Sequence, residues 1–162
     1  MKTWTFTRKL ILGLTILVAF AGICPVSYWL CPDWNVTVVD ASGEPVPGMT
    51  VRRSCNDYSS GRTGIEDDAI TDEGGKVSFA GKRVRSPVFL RWAGNVVNLA
   101  SEGVHASFGR HSYVFAFGRG LEGSPVVDGY VEDWTGCPSH MESRIVVKPV
   151  QPISPINQQW ER

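Results

Sequence analysis

"NVTVVDASGEPVPGMTV", residues 35–51, sets two runs of small apolar residues on either side of a segment holding Gly43, Pro45, Pro47 and Gly48. Val36, Val38 and Asp40 alternate with Thr37 and Val39, the period-two pattern of a strand with a buried face. Gly43 tolerates positive φ, while Pro45 and Pro47 fix φ and remove backbone donors, so the chain turns there. A second strand follows in "MTVRRSC", with Met49, Val51 and Arg53 on one side and Thr50, Arg52 and Ser54 on the other.

The same alternation recurs downstream. "TDEGGKVSFAG" joins a turn at Asp72, Gly74 and Gly75 to a strand carrying Val77 and Phe79. "PVFLRWAG" sets Val88, Leu90 and Trp92 on one face, and "SYVFAF" sets Tyr113, Phe115 and Phe117 against Ser112, Val114 and Ala116. "RIVVKPV" reads as a last strand, and the polar stretch 56–68 reads as a solvated loop. Six or more short strands, no amphipathic helix of ten residues, 17 glycines and 10 prolines together predict an all-β sandwich.

Ahead of these strands, "MKTWTFTRK" carries Lys2, Arg8 and Lys9 without an acid, and the apolar run "LILGLTILVAF" follows. This is the layout of a secretory signal with a cleavage site after Ala21. The uncharged interval between Lys9 and Asp33 equally suits an uncleaved anchor with Tyr28 and Trp29 at the outer interface. Either way the remainder is exported, to be secreted or held on the membrane facing outside the cytoplasm. The expected organisation is a signal or anchor segment over 1–32, a sandwich over 33–150 and a disordered Pro/Gln-containing tail over 151–162.

Charge and cysteine content narrow the function classes. The chain has 16 basic and 16 acidic residues, and removing Lys2, Arg8 and Lys9 leaves the exported part with 13 basic residues against 16 acidic ones. No basic stripe exists, which argues against nucleic-acid binding. Cys24, Cys31, Cys55 and Cys137 show no CxxC spacing, and an oxidising compartment favours disulfides. Four cysteines allow three pairings. With Cys24 inside an anchor, a bridge between two of Cys31, Cys55 and Cys137 is expected.

Taken together, "VTVVDASGEPVPGMTV" and "TDEGGKVSF" resemble the carboxypeptidase regulatory-like domain, with its D-x-x-G-x-P-V-x-G turn and later T-D-x-x-G-x-(apolar)-x-F. Asp40, Gly43, Pro45, Val46 and Gly48 match the first element; Thr71, Asp72, Gly75, Val77 and Phe79 match the second. The likeness covers residues 36–92. It implies a Greek-key, prealbumin-like β-sandwich without a catalytic role, of the kind that serves as an accessory or binding module. The zinc carboxypeptidase such domains accompany would show H-x-x-E, and none of His105, His111 or His140 has Glu three positions on. A related urate-pathway hydrolase ends in Y-R-G-S, whereas this chain ends "QQWER".

An enzymatic alternative rests on "HASFGRHSY", where His105, Ser107 and His111 could supply base and nucleophile of a small extracytoplasmic hydrolase. The nucleophile elbow G-x-S-x-G is broken there by His105. The acidic run with Glu66, Asp67, Asp68, Asp72 and Glu73 lacks the order of a known Ca²⁺ loop, so no metal or other cofactor is implied. Trp92 is expected in the core. Trp134, in a loop-like context, is a ligand-binding candidate with His105 and His111, for a protein or glycan at the cell surface. The fold-signature residues Asp40, Gly43, Pro45, Gly48, Asp72 and Gly75 are assigned to turns and not to chemistry.

Overall fold

The computed structural model describes residues 2–60 and 62–150, with side chains described for 6–60 and 64–150; the expected tail over 151–162 lies outside the described residues. Helix α1 (Lys2–Ile23) comes first, and its apolar stretch Phe6–Ile23 is long and apolar enough to cross a membrane. Pro25 cannot continue it. The chain turns at once into strand β1 (Pro25–Cys31), whose Tyr28, Leu30 and Cys31 are buried. The folded part therefore begins at Pro25, ahead of the expected boundary at residue 33, and Tyr28 belongs to the protein interior and not to a membrane interface.

Two sheets enclose the core. In the first, β2 (Asp33–Val39) lies between β5 (Lys76–Phe79), antiparallel to it, and β11 (His140–Val146), parallel to it. The second runs in the order β12 (Lys148–Pro149), β8 (Leu121–Gly123), β7 (Arg110–Gly118), β3 (Thr50–Asp57), β4 (Arg62–Ile70). Between them lie Trp34, Val36 and Val38 from one sheet and Val51, Val114 and Ala116 from the other, with Met49 and Trp134 closing the ends. Strand β1 pairs with β6 (Lys82–Pro87) beside this core, and β9 (Val126–Val127) with β10 (Tyr130–Val131) forms a small hairpin. Alternate residues of β3 are buried, as the period-two reading requires.

The two sequence motifs form one interlocked unit. The carboxylate Oδ1 of Asp40 accepts from the amides of Ser42 (2.8 Å) and Glu44 (3.0 Å), and Oδ1 of Asp72 accepts from those of Gly74 (2.9 Å) and Lys76 (2.8 Å). In each turn the amide of the glycine three positions on, Gly43 or Gly75, donates to the aspartate carbonyl. The turns are then joined. The Thr71 hydroxyl donates to the Val46 carbonyl (2.8 Å) and accepts from the Met49 amide (2.9 Å), while the Gly48 amide donates to the Thr71 carbonyl. Gly75 sits at φ 68°, where a Cβ would stand 2.5 Å from the Val38 carbonyl oxygen and 3.0 Å from the Val46 amide nitrogen.

Three expectations are corrected. The polar stretch 56–68 is largely strand β4, because its charges are met across the sheet: Arg52 pairs with Asp68 (2.7 Å) and Glu66 (3.1 Å), and Asp67 with Arg53 (2.8 Å) and Lys82 (2.5 Å). Residues 88–92 start helix α2 (Val88–Glu102) and not a strand, so a helix longer than ten residues does exist, and Trp92 is 70% exposed rather than core. Trp134 is the converse, 1% exposed, with its indole N–H donating to the Pro138 carbonyl and its backbone bridged to Ser112. Among the cysteines, Cys31 and Cys55 form the disulfide across β1 and β3, and Cys24 and Cys137 are free.

Arg53 shares the inward face of β3, as its sequence position implies, yet it is a buried cation. Its guanidinium donates to the carbonyls of Pro32 (2.9 Å) and Ala80 (3.0 Å) and to Asp67, and lies over the Phe79 ring. Burial raises the Asp67 carboxyl, but hydrogen bonds from Lys82 and Arg53 outweigh it and hold it below the ordinary value.

Two predictions follow from these contacts. Gly75→Ala loses about 1–3 kcal/mol for backbone conformation alone and more because the Val38 carbonyl must move; Gly109→Ala, at φ 79° with open space around it, loses only the conformational part. Urea unfolding of the pair checks this, and equal losses would contradict it. Arg53→Met leaves the partly buried Asp67 to Lys82 alone and the Pro32 and Ala80 carbonyls without their donor, and costs about 1–3 kcal/mol. Because the folded Asp67 titrates below its unfolded value, its contribution is present above that value and is lost as pH falls through the folded one. Unfolding titrations below about pH 4 are expected to show a shallower acid loss in Arg53→Met than in the parent.

Candidate functional site

The residues of the enzymatic alternative are not assembled. His111, on β7, has Nδ1 2.7 Å from Asp133 Oδ2 and Nε2 3.1 Å from the Phe108 carbonyl, so both ring nitrogens are already engaged. His105 ends a single 3-10 turn (Gly103–His105) and is exposed, as is Ser107. Among the described residues no hydrogen bond joins either side chain to His111. Instead the Ser107 carbonyl accepts from Asn98 (3.3 Å), and Tyr58 packs edge-on against the His111 ring at 5.4 Å. His111 thus clips β7 to the loop that carries Asp133. Buried Trp134 offers no face for stacking.

The outward face of the five-stranded sheet is chemically more distinctive. Ser112, Val114 and Ala116 take the inward positions of β7, which leaves Tyr113, Phe115 and Phe117 outside. Their rings form a row with centroids 6.2 and 5.5 Å apart. Arg52, opposite Phe115 on β3, lies 5.6 Å from the Phe117 ring centre. A groove of about 450 Å³ runs along the row, closed on the far side by Glu122 and Val131. Arg52 hydrogen bonds hold the Asp68 carboxyl below its ordinary value. The rim of the row carries both signs of charge: Glu66 and Asp68 flank Arg52 on one side, and Glu122 stands opposite Lys148 on the other.

The other sheet offers a larger groove, 740 Å³, of different character. Its walls are the outward side chains of Asn35, Thr37, Lys76, Ser78, Glu142 and Arg144, with mixed charge and no aromatic ring. Here the Ser78 hydroxyl donates to the Asn35 side chain (2.8 Å). The turn residues Asp40, Gly43, Pro45, Gly48, Asp72 and Gly75 serve the strand connections; only Gly43 and Pro45 reach this groove. Ser42 and Glu44 hydrogen bonds pull the Asp40 carboxyl below its ordinary value, the same device that shapes the turn.

The sequence contained the aromatic row but not its direction. The deciding signal is the pairing of β7 with β3, where Ser112 sits opposite Cys55 and Ala116 opposite Val51, two residues with no exposure at all. No family model matches the chain, and no curated protein matches it.

Substitution checks the assignment of the histidines. His111→Ala loses two hydrogen bonds and costs about 1–2 kcal/mol, whereas His105→Ala and Ser107→Ala stay within about 0.5 kcal/mol of the parent. Thermal unfolding reads the difference, and a loss at Ser107 matching that at His111 would show the two acting together.

Proposed function

We propose that the chain is a non-catalytic, membrane-tethered β-sandwich of the carboxypeptidase regulatory-like, Greek-key type, displayed outside the cytoplasm as a binding module. Support for the family comes from the interlock of its two motifs through Thr71 and Gly75, which makes the matching residues a single structural unit. Support for an uncleaved anchor comes from the approach of two helices: Val18, Ala19, Gly22 and Ile23 of α1 line an apolar cleft with Val88, Phe89 and Trp92 of α2, and a Cβ at Gly22 would meet the Phe89 Cβ at 3.8 Å. Cleavage after Ala21 would remove Val18 and Ala19 from it. The Cys31–Cys55 bridge fits an oxidising exterior.

The observation that carries the binding role is the row Tyr113, Phe115 and Phe117 on the solvent side of a sheet, three neighbouring aromatic rings forming an apolar patch beside a groove. An apolar groove rimmed by charges of both signs suits a protein segment presenting apolar side chains within a polar border. Full-length protein in detergent, used to capture surface proteins and glycans, is expected to retain a specific protein partner. Phe115→Ser should abolish that capture while changing stability by about 1 kcal/mol or less. A partner retained equally by Phe115→Ser would remove the binding role from this face. Intact mass from membrane and soluble fractions tests the tether: an uncleaved chain in the membrane fraction is expected, and a chain beginning at Gly22 would refute it.

A further inference from the structure

Helix α2 is amphipathic, and it is mounted inside out. At 3.6 residues per turn, Arg91, Asn95, Asn98 and Glu102 share one face, and Phe89, Trp92, Val96 and Leu99 lie on the other. The polar face is the one against the protein. Arg91 lies over the Tyr28 ring at 4.4 Å, with Nε 3.7 Å from Asp57 Oδ2. Asn98 donates to the Tyr58 carbonyl (2.5 Å) and to that of Ser107. Gly94 lets the helix backbone close on Ser59, whose carbonyl oxygen would be 2.1 Å from an added Cβ. No residue of α2 is buried, and its apolar face looks away from the sandwich: Trp92 is 70%, Val97 63% and Leu99 57% exposed.

Position identifies what covers that face. Strands β1 and β6 meet at Pro25 and Pro87, so the end of α1 and the start of α2 are set side by side. Phe89 meets α1 at Gly22, and Phe89 and Trp92 line an apolar cleft with Val18, Ala19, Gly22 and Ile23, the last turn and a half of the apolar span. Aromatic rings at that depth occupy the level where a bilayer gives way to headgroups. Arg83, over the Trp29 ring at 5.1 Å, and Arg85 are exposed on β6 a few residues before α2 and put positive charge near its start, the sign that anionic headgroups attract.

We propose that α2 lies in the outer interface of the membrane that α1 crosses, its apolar face in lipid and its polar face carrying the sandwich. This rests on the tether proposed above. The occupant is the lipid surface, not a second copy or another protein, because the apolar face is continuous with the apolar surface of α1 and shares residues with it. The chain is thereby held at two points, a span and an in-plane helix.

Full-length protein and its Trp92→Phe variant, reconstituted in vesicles of phosphatidylcholine with a minor share of an anionic lipid, test this. The phosphatidylcholine is brominated at either shallow or deep acyl positions. Tryptophan emission lost in Trp92→Phe is expected to be blue-shifted and quenched, more by shallow bromines than by deep ones. Resistance to alkaline carbonate in the same vesicles reports the α1 span separately. An integrated protein whose Trp92 emission is unquenched overturns the helix placement and leaves the tether standing. Quenching that disappears as protein density rises would assign the face to a second copy, and a chain extracted by carbonate overturns both readings.

Discussion

The structure depends on how closely two turns approach one another. Gly75 brings its Cα against the carbonyl of Val38 and the backbone of Val46, and Thr71 ties the same region to Met49. That contact determines where β5 leaves the second turn, and therefore how it pairs with β2. It also determines where β3 starts, and so which sheet receives Met49 and Val51. One aspartate builds each turn through a single carboxylate oxygen, a local cause; the glycine and threonine convert two local turns into the junction of the sandwich. The buried disulfide and the Arg53 network fasten β1 and β4 to the frame that the turns set.

Much of that frame was legible in the sequence because period-two alternation coincided with one-sided burial. β2, β3 and β5 were readable for this reason, and the turn residues between them have conformational causes that belong to single residue types. Legibility failed where a segment satisfied its polarity through distant partners. β4 looked like a loop because Glu66, Asp67 and Asp68 face Arg52, Arg53 and Lys82, contacts invisible until strands are paired. Trp134 looked exposed because its burial comes from a backbone bridge to Ser112, over 20 residues away. The candidate face was half legible: three alternating aromatics stood out, but direction depends on which partner strand offers room, and inward space opposite Cys55 and Val51 admits only small residues.

Residues 88–92 were the hardest to read, and the reason is physical. Val88, Leu90 and Trp92 alternate like a strand, while Phe89, Trp92, Val96 and Leu99 recur like a helix. Sequence reasoning chooses between such patterns by assuming that apolar residues face inward. In α2 the assumption is false, since the inward contacts are made by Arg91 and Asn98 through an aromatic ring, a carboxylate and backbone carbonyls. Beyond the first turn and a half, where Phe89 and Trp92 face α1, the apolar residues of this helix have no partner among the described strands, and on the proposed reading lipid is what they meet.

That environment bears on how the sandwich would meet a partner. A domain joined to a membrane span by a flexible linker samples many orientations, and each binding event must fix one of them at an entropic cost. Here the last helical bond of α1, from the Cys24 amide to the Phe20 carbonyl, is followed at once by Pro25 of a strand inside the fold, leaving no linker. Packing of α2 on α1 adds a second constraint on rotation. On the proposed reading, the aromatic row on β7 is therefore presented at a fixed height and direction above the bilayer. A surface held this way suits a partner whose own position is fixed, such as a neighbouring membrane protein, better than a freely diffusing one, because both entropic costs are met before contact.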